Sequence, residues 1–286
     1  MAEAARFILC ADDYAQNGAI SEAIVDLVGQ GRLSATSAMT TSPFWPGEAR
    51  AIMALRGTVA VGLHLNLTHG APLGPMTGLA PSGLFPEIGP VIAASLSCQL
   101  DAVEIRAEID RQLDAFEAAA GAAPDHVDGH QHVHTLPVVR RALIAALVRR
   151  YPGRAILLRT PSDHLTAMAR RGTVPKALVV AALSAGFARL ARKAGFLTND
   201  SFAGFSDFAD KPYADEFARF QRGPGRRHLV MCHPGKDGST EDPIAARRPF
   251  EYDFLKSAEG LPDRLWHPPA RGVAEPADWS NGFTDV

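Results

Sequence analysis

Four of the chain's ten histidines fall within nine residues, His126-Val127-Asp128-Gly129-His130-Gln131-His132-Val133-His134. Imidazole binds cations and exchanges protons near neutral pH, so a run this dense points first to chemistry. Far upstream stands a carboxylate doublet, Asp12-Asp13, and further histidines occur at His64 and His233. One Asp with two His offers one oxygen and two nitrogens, a mixed set that leaves positions open for water and substrate. A structural zinc site would instead be closed by four ligands. A second carboxylate beside the ligand Asp is placed to take a proton from water activated by a cation. The doublet supplies one carboxylate for each task.

Such residues act together only if the fold gathers them. Arg6 to Ala11 is a short, continuously apolar run, as expected of a strand covered on both faces, and it ends at Asp12-Asp13. Gly18 to Gly31 is predicted as a helix, Leu33 to Thr41 as a strand, Pro46 to Leu55 as a helix and Thr58 to Leu65 as a third strand. This alternation builds a parallel sheet. Asp101 to Ala120 repeats apolar residues at helical spacing, Asp125 to Asp128 is a brief strand entering the histidine run, and Pro137 to Arg150 is a helix begun by proline. Ala155 to Arg159 and Arg227 to Cys232 complete the strands. Asp12, Asp13, His64, His130, Arg159 and His233 then each fall at a strand's carboxyl end. In parallel α/β folds, barrels above all, those ends gather on one face, where active sites form.

The remaining chain sets bounds. A net charge of −2 and the lack of any nucleic-acid-binding motif argue against a nucleic-acid partner. Cys10, Cys98 and Cys232 have neither disulfide nor zinc-knuckle spacing, and Cys10 and Cys232 read as buried small hydrophobes. Met1 to Asp12 does not read as a signal peptide, and the uncharged stretch Ala177 to Ala188 is too short for a membrane span. A cytoplasmic setting is the expectation, with a homo-oligomer left open. Leu73 to Pro90, rich in Gly and Pro, reads as a loop that is a functional cover or disordered. Val174 to Leu190 reads as a helix apolar around most of its circumference, hence core or a cover over an apolar substrate. One domain is expected over residues 1–286, with an irregular tail from about 262.

Four ordered motifs resemble the YdjC-like carbohydrate deacetylases, also called the ChbG/HpnK family. They are Ala11-Asp12-Asp13-Tyr14; Val61-Gly62-Leu63-His64-Leu65-Asn66-Leu67-Thr68 with Gly70 and Pro72; the run from His126 to His134 with Pro137; and Cys232-His233-Pro234-Gly235. The resemblance covers roughly residues 5 to 255. It implies a distorted or incomplete (β/α) barrel of parallel strands that hydrolyses the N-acetyl group of an amino sugar, releasing acetate. It also implies Asp13, His64 and His130 as ligands of one divalent metal ion, Mg²⁺ or Zn²⁺, with Asp12 as general base and His233 assisting the leaving amine or the oxyanion. Arg159, paired with Asp12, together with His132, His134 and Asn66, is expected to contact substrate or to support the ligands. Tyr14-Ala15 replaces the usual Phe-Gly, and Gly129 stands where Ser is common; both changes look tolerable. The rival readings are another metal-dependent barrel hydrolase, acting on a phosphoester or cyclic amide, and a catalytically silent sugar-binding module.

Overall fold

The computed structural model describes residues 6–171, 174–206, 212–222, 225–237, 242–280 and 283. The extreme ends of the expected tail and residues 172–173, which lead into the expected helix from Val174, lie outside them. The elements run β1 (Ile8–Tyr14), α1 (Gly18–Gly29), β2 (Ala35–Ala38), α2 (Trp45–Ala54), β3 (Ala60–Leu65), α3 (Ile88–Leu96), α4 (Ala102–Ala120), β4 (His126–Gly129) and α5 (Pro137–Arg150). They continue β5 (Leu157–Leu158), α6 (Leu165–Arg171), α7 (Val174–Leu183), α8 (Phe187–Lys193), β6 (Leu197–Thr198), β7 (Ser201–Ala203), α9 (Tyr213–Phe220), β8 (His228–Cys232), α10 (Arg248–Ser257) and α11 (Leu261–Arg264).

All strand pairs are parallel, in the order β6-β5-β4-β3-β2-β1-β8-β7. The two outer strands are the ends of one short segment, residues 197–203, which leaves β5 after Thr198 and joins β8 at Ser201. Asn199 spans the gap. Its Oδ1 accepts from the Thr160 amide at 2.7 Å, and its Nδ2 donates to the carbonyls of Thr160 and Ser201 at 2.9 and 3.1 Å. A side-chain amide thus pairs backbone groups that the broken ladder would leave unpaired. The expected distorted parallel barrel is what forms, with its distortion at this seam.

Side chains alternate across each strand. Phe7, Leu9 and Ala11 pack outward against the helices, whereas Ile8 and Cys10 join Ala35, Ala60, Leu157, Leu229 and Met231 inside the barrel. Cys10 and Cys232 are buried free thiols, as expected. The C-terminal tail is irregular after α11, yet it is seated: Trp266 and Trp279 stack at 4.7 Å, and Trp279 Nε1 donates to the Asp125 carbonyl at 2.9 Å. Both indoles are buried near the amino ends of the strands, Trp266 beside Phe7 and Trp279 against the His126 ring.

Three expectations need correction. The Gly/Pro-rich stretch gives way to α3 at Ile88, whose apolar residues pack beneath it. The long helix from Val174 breaks at residues 184–186, where Gly186 takes φ 80°, and two shorter helices result. Nor is that segment core all round: Leu178 and Val179 are 41% and 59% exposed. Strands β6 and β7, two and three residues long, are too short for periodicity to show. Among the described residues no helix is long and apolar enough to cross a membrane.

Candidate active site

Strand alternation alone would send Asp12 inward and Asp13 outward. The pairing of β1 with β2 instead shifts register between Ala11 and Tyr14, and Asp13 takes φ 66° there. Three steps along β1, from Ala11 to Tyr14, oppose two along β2, from Thr36 to Ala38, so one residue is extra. A bulge of this kind re-aims a side chain, and here it turns both carboxylates of the doublet into the barrel mouth.

Asp13 Oδ1 lies 3.2 Å from His64 Nε2 and 3.0 Å from His130 Nδ1. The three residues offer ligand atoms all within 4.8 Å of one another, a spacing suited to a cation. His64 comes from β3, and its Nδ1 faces Asp128 Oδ1 at 2.7 Å and Ser37 Oγ at 3.1 Å. That contact fixes the ring with Nε2 toward Asp13, the support that metal-ligating imidazoles commonly have. His130 opens the 3₁₀ turn after β4, in which Gln131 and His132 take positive φ. Its ring meets those of His64 and His69 edge-on.

Asp12 is clamped by Arg159, whose Nη1 and Nη2 donate to its two oxygens at 2.6 and 2.9 Å. Arg159 Nη1 also lies 2.9 Å from Asp128 Oδ2. Among the described residues, two further groups meet the same spacing, Asp12 with His64 and Asp128, and Cys10 with His126 and Asp128. Arg159 occupies the carboxylates of the first. In the second, burial foremost and the nearby carboxylates push the Cys10 thiol well up, so it stays protonated. Asp13, His64 and His130 are therefore the best cation site of the three.

The site is strongly charged and largely buried. Burial alone would raise Asp13, but Arg248 and the two imidazoles hold its carboxyl well below the usual range. Burial opposes charge on His64 too; Asp128 and Asp13 overcome it and push the imidazole up to about 10. His233, at the end of β8, has Nε2 3.9 Å from Asp12 Oδ2, and burial pushes it down to about 4. Burial thus disfavours the imidazolium form of His233. His132 is likewise held well below its ordinary value by burial and Arg159, and its ring sits edge-on to Phe202 and Phe205.

The other expected residues serve as scaffolding. His134 is buried against Phe187, and its Nε2 bonds the Arg159 carbonyl at 2.8 Å. Asn66 folds the loop after β3: its Oδ1 accepts from the Thr68 and His69 amides, and its Nδ2 donates to Thr41 Oγ1 and the His69 carbonyl. Its amide is spent within the protein, with nothing left to present to a sugar.

Sequence reasoning missed Asp128, Arg248, Glu251 and His69. Arg248, from α10, donates to Asp13 Oδ2 at 2.7 Å and to Gln16 Oε1 at 3.2 Å, and its Nε bonds Asp242. Buried Glu251 accepts the His233 backbone N–H at 2.6 Å, and burial raises its carboxyl to about 7. Beside the cluster opens a cleft of about 1070 Å³, reached over His69 and Gln16 and walled largely by apolar residues, among them Met39, Phe44, Trp45 and Leu73.

Fold and site define a class: parallel α/β barrels that collect a carboxylate–imidazole cluster at the carboxyl ends of their strands. Within it the chain belongs to the YdjC-like protein family, whose model matches residues 6–261. It is 35% identical over 147 residues to a human carbohydrate deacetylase, covering 50% of this chain and 45% of that protein. It is 34% identical over 132 residues to a chitooligosaccharide deacetylase of Enterobacter sp. (strain 638), covering 46% and 51%. The matches thus span about half the length of these curated relatives. A proposed cellobiose-phosphate cleavage protein from Enterococcus faecalis shares the fold, with TM-score 0.69, 21% identity and coverage of 92% of this chain and 97% of that one.

Proposed function

We propose that the protein is a metal-dependent hydrolase that removes the acetyl group from an N-acetylated amino sugar, releasing acetate. The observation that carries this reading is the convergence of Asp13, His64 and His130 beside a second carboxylate, Asp12, gripped on both oxygens by Arg159. The donor set fits one divalent cation, because Asp13 commits Oδ2 to Arg248 and keeps Oδ1 toward both imidazoles. Two nitrogens and one oxygen favour Zn²⁺ over Mg²⁺. When bound there, the cation would polarise the acetamide carbonyl and lower the pKa of water.

The protein's own groups do the rest. Asp12, oriented by Arg159, removes a proton from the attacking water. The oxyanion so formed would be stabilised by the bound cation, while Arg159 and Arg248 hold Asp12 and Asp13 in place beside it. The proton that Asp12 takes from water is the one returned to the departing amine; His233, whose Nε2 lies 3.9 Å from Asp12 Oδ2, would pass it only through a bridging water or the amine itself. Acetate and a free amino sugar result.

The apolar walls of the cleft favour a sugar carried on an apolar group, the head group of a glycolipid, over a long free oligosaccharide. Acetate release from an alkyl N-acetylglucosaminide, from N,N′-diacetylchitobiose and from N-acetylglucosamine, each with and without chelator, tests the proposal. Release that stops with chelator and is fastest on the alkyl glycoside is expected. Cleavage of a phosphoester or cyclic amide, or no acetate from any acetylated sugar, would overturn it.

A further inference from the structure

Helix α7 carries a surface that the catalytic reading leaves unused. Pro175, Leu178, Val179 and Ala182 recur at the spacing of one helical face, and all four are exposed, as are Ala185 and Gly186 in the turn that follows the helix. The opposite side is the one that packs, with Ala177, Val180 and Ala181 against the barrel cluster. The outward face of an amphipathic helix is normally polar; here it is apolar. Leu165, which opens the neighbouring helix α6, is also exposed, at 69%.

Charge around this patch is one-sided. Residues 164–199 contain six Lys and Arg and no Asp or Glu, which leaves 23 cations against 31 carboxylates in the rest of the chain. Arg170 on α6 and Arg189 and Lys193 on α8, the helices before and after α7, are exposed. Apolar side chains flanked by cations are what an anionic lipid surface takes up: the former enter the headgroup boundary and the latter meet the phosphates. A second copy of this chain would fit poorly, since two like-charged patches repel.

The position of the patch gives the contact a consequence. The α6–α7 segment leaves the carboxyl end of β5 just after Arg159 and Thr160. Met168 and Ala177, on its inner side, join Phe202 and Phe205, whose rings lie 5.8 and 5.6 Å from that of His132. One helix thickness, about 10 Å, therefore separates the stripe from the rim of the site.

We propose that the α6–α7 face docks the protein peripherally on an anionic membrane, with the mouth of the barrel turned toward the lipid. This goes beyond the deacetylase reading and stands or falls separately, because vesicle binding is measured without substrate.

The test is flotation of the full chain with vesicles of equal phosphatidylglycerol and phosphatidylcholine, and with phosphatidylcholine alone, in low and high salt. Binding to the anionic vesicles, lost in high salt, is expected. It should fall at least tenfold in Leu178→Glu/Val179→Glu and several-fold in Arg189→Glu/Lys193→Glu. Both variants should keep the wild-type melting temperature and rate of acetate release from a soluble acetylated sugar. Failure of the wild type to float, equal binding to neutral vesicles, or full binding by the apolar-face variant would overturn the proposal. So would a wild-type dimer, seen by size exclusion, that Leu178→Glu/Val179→Glu splits while vesicle binding is absent.

Discussion

Arg248 Nη2 donates to Asp13 Oδ2 at 2.7 Å, joining helix α10 to the first strand across 235 residues of sequence. The guanidinium neutralises a buried carboxylate whose other oxygen serves two imidazoles, and Asp242 and Gln16 fix its direction in turn. A ligand carboxylate held this way has one oxygen aimed at the cation site before any cation arrives.

Removing that guanidinium should expose the charge it balances. Breaking one partner of a buried ion pair typically costs 3–5 kcal/mol, so Arg248→Met should lower the melting temperature of the cation-free protein by several degrees. A divalent cation would then supply the missing positive charge. The stabilisation gained on adding Zn²⁺ should therefore be larger in Arg248→Met than in wild type. Thermal melts with chelator and with Zn²⁺ read both numbers, and an equal gain in the two proteins would separate Arg248 from the cation site.

Asp12 has no place among the preferred ligands, so its loss should separate catalysis from metal binding. Asp12→Asn keeps the shape and one acceptor for Arg159 but removes the base. We expect turnover to fall by about 10²–10⁴, the range of a general base, with metal content unchanged. Acetate release and metal analysis on the same preparation check this. A near-normal rate would remove Asp12 from the mechanism.

The pH dependence of cation binding should follow His64. In the cation-free protein its imidazole is pushed up to about 10 by Asp128 and Asp13, against its burial, so at neutral pH it carries both protons. Because the folded value is raised, this pair adds stability below about 6.5 that is lost as the pH climbs through about 10. Nε2 must release its proton before it can serve as a ligand. About one proton per ion should leave at pH 7, and affinity should rise about tenfold per pH unit until His64 titrates. Calorimetry in two buffers of different ionisation enthalpy counts the protons. A count of zero would place the cation away from His64.

How much of this was legible in the sequence depended on length scale. The strands that carry Asp12, His64, His130, Arg159 and His233 show as apolar runs ending in polar residues, and their convergence follows from parallel α/β topology. Alternation could not show that Asp13 also faces inward, because that rests on a one-residue bulge and a positive φ that no periodicity marks. Arg248 and Glu251 lie in Arg247-Arg248-Pro249-Phe250-Glu251, which reads as the charged start of a surface helix. Only the fold of α10 over β1 and β8 turns that face inward. Asn66 drew attention by standing two residues after His64, yet local turn geometry consumes its amide.

Two positions where the chain departs from its family's usual residues separate on structural grounds, although both look tolerable in sequence. Ala15 takes φ 67°, the left-handed region, at about 1–2 kcal/mol relative to glycine. Ala15→Gly would recover that, but it would lose a buried methyl group, about 0.8 kcal/mol, and gain unfolded-state freedom of about 0.4–1 kcal/mol. The terms offset, so its stability should stay within about 1 kcal/mol of wild type. Gly129 is different: its φ of −165° suits any residue, but an added Cβ would lie 2.9 Å from His134 Nδ1 and 3.1 Å from the Leu65 carbonyl. His134 cannot yield easily, because its ring packs on Phe187 and bonds the carbonyl of Arg159. Gly129→Ser should therefore cost about 1–3 kcal/mol, as overpacking does, and should slow turnover by displacing Arg159 from Asp12. Urea unfolding midpoints of the two variants, compared with their rates of acetate release, test the contrast. A Gly129→Ser protein as stable and active as wild type would show that the space between Gly129, His134 and Leu65 has more room than these distances allow.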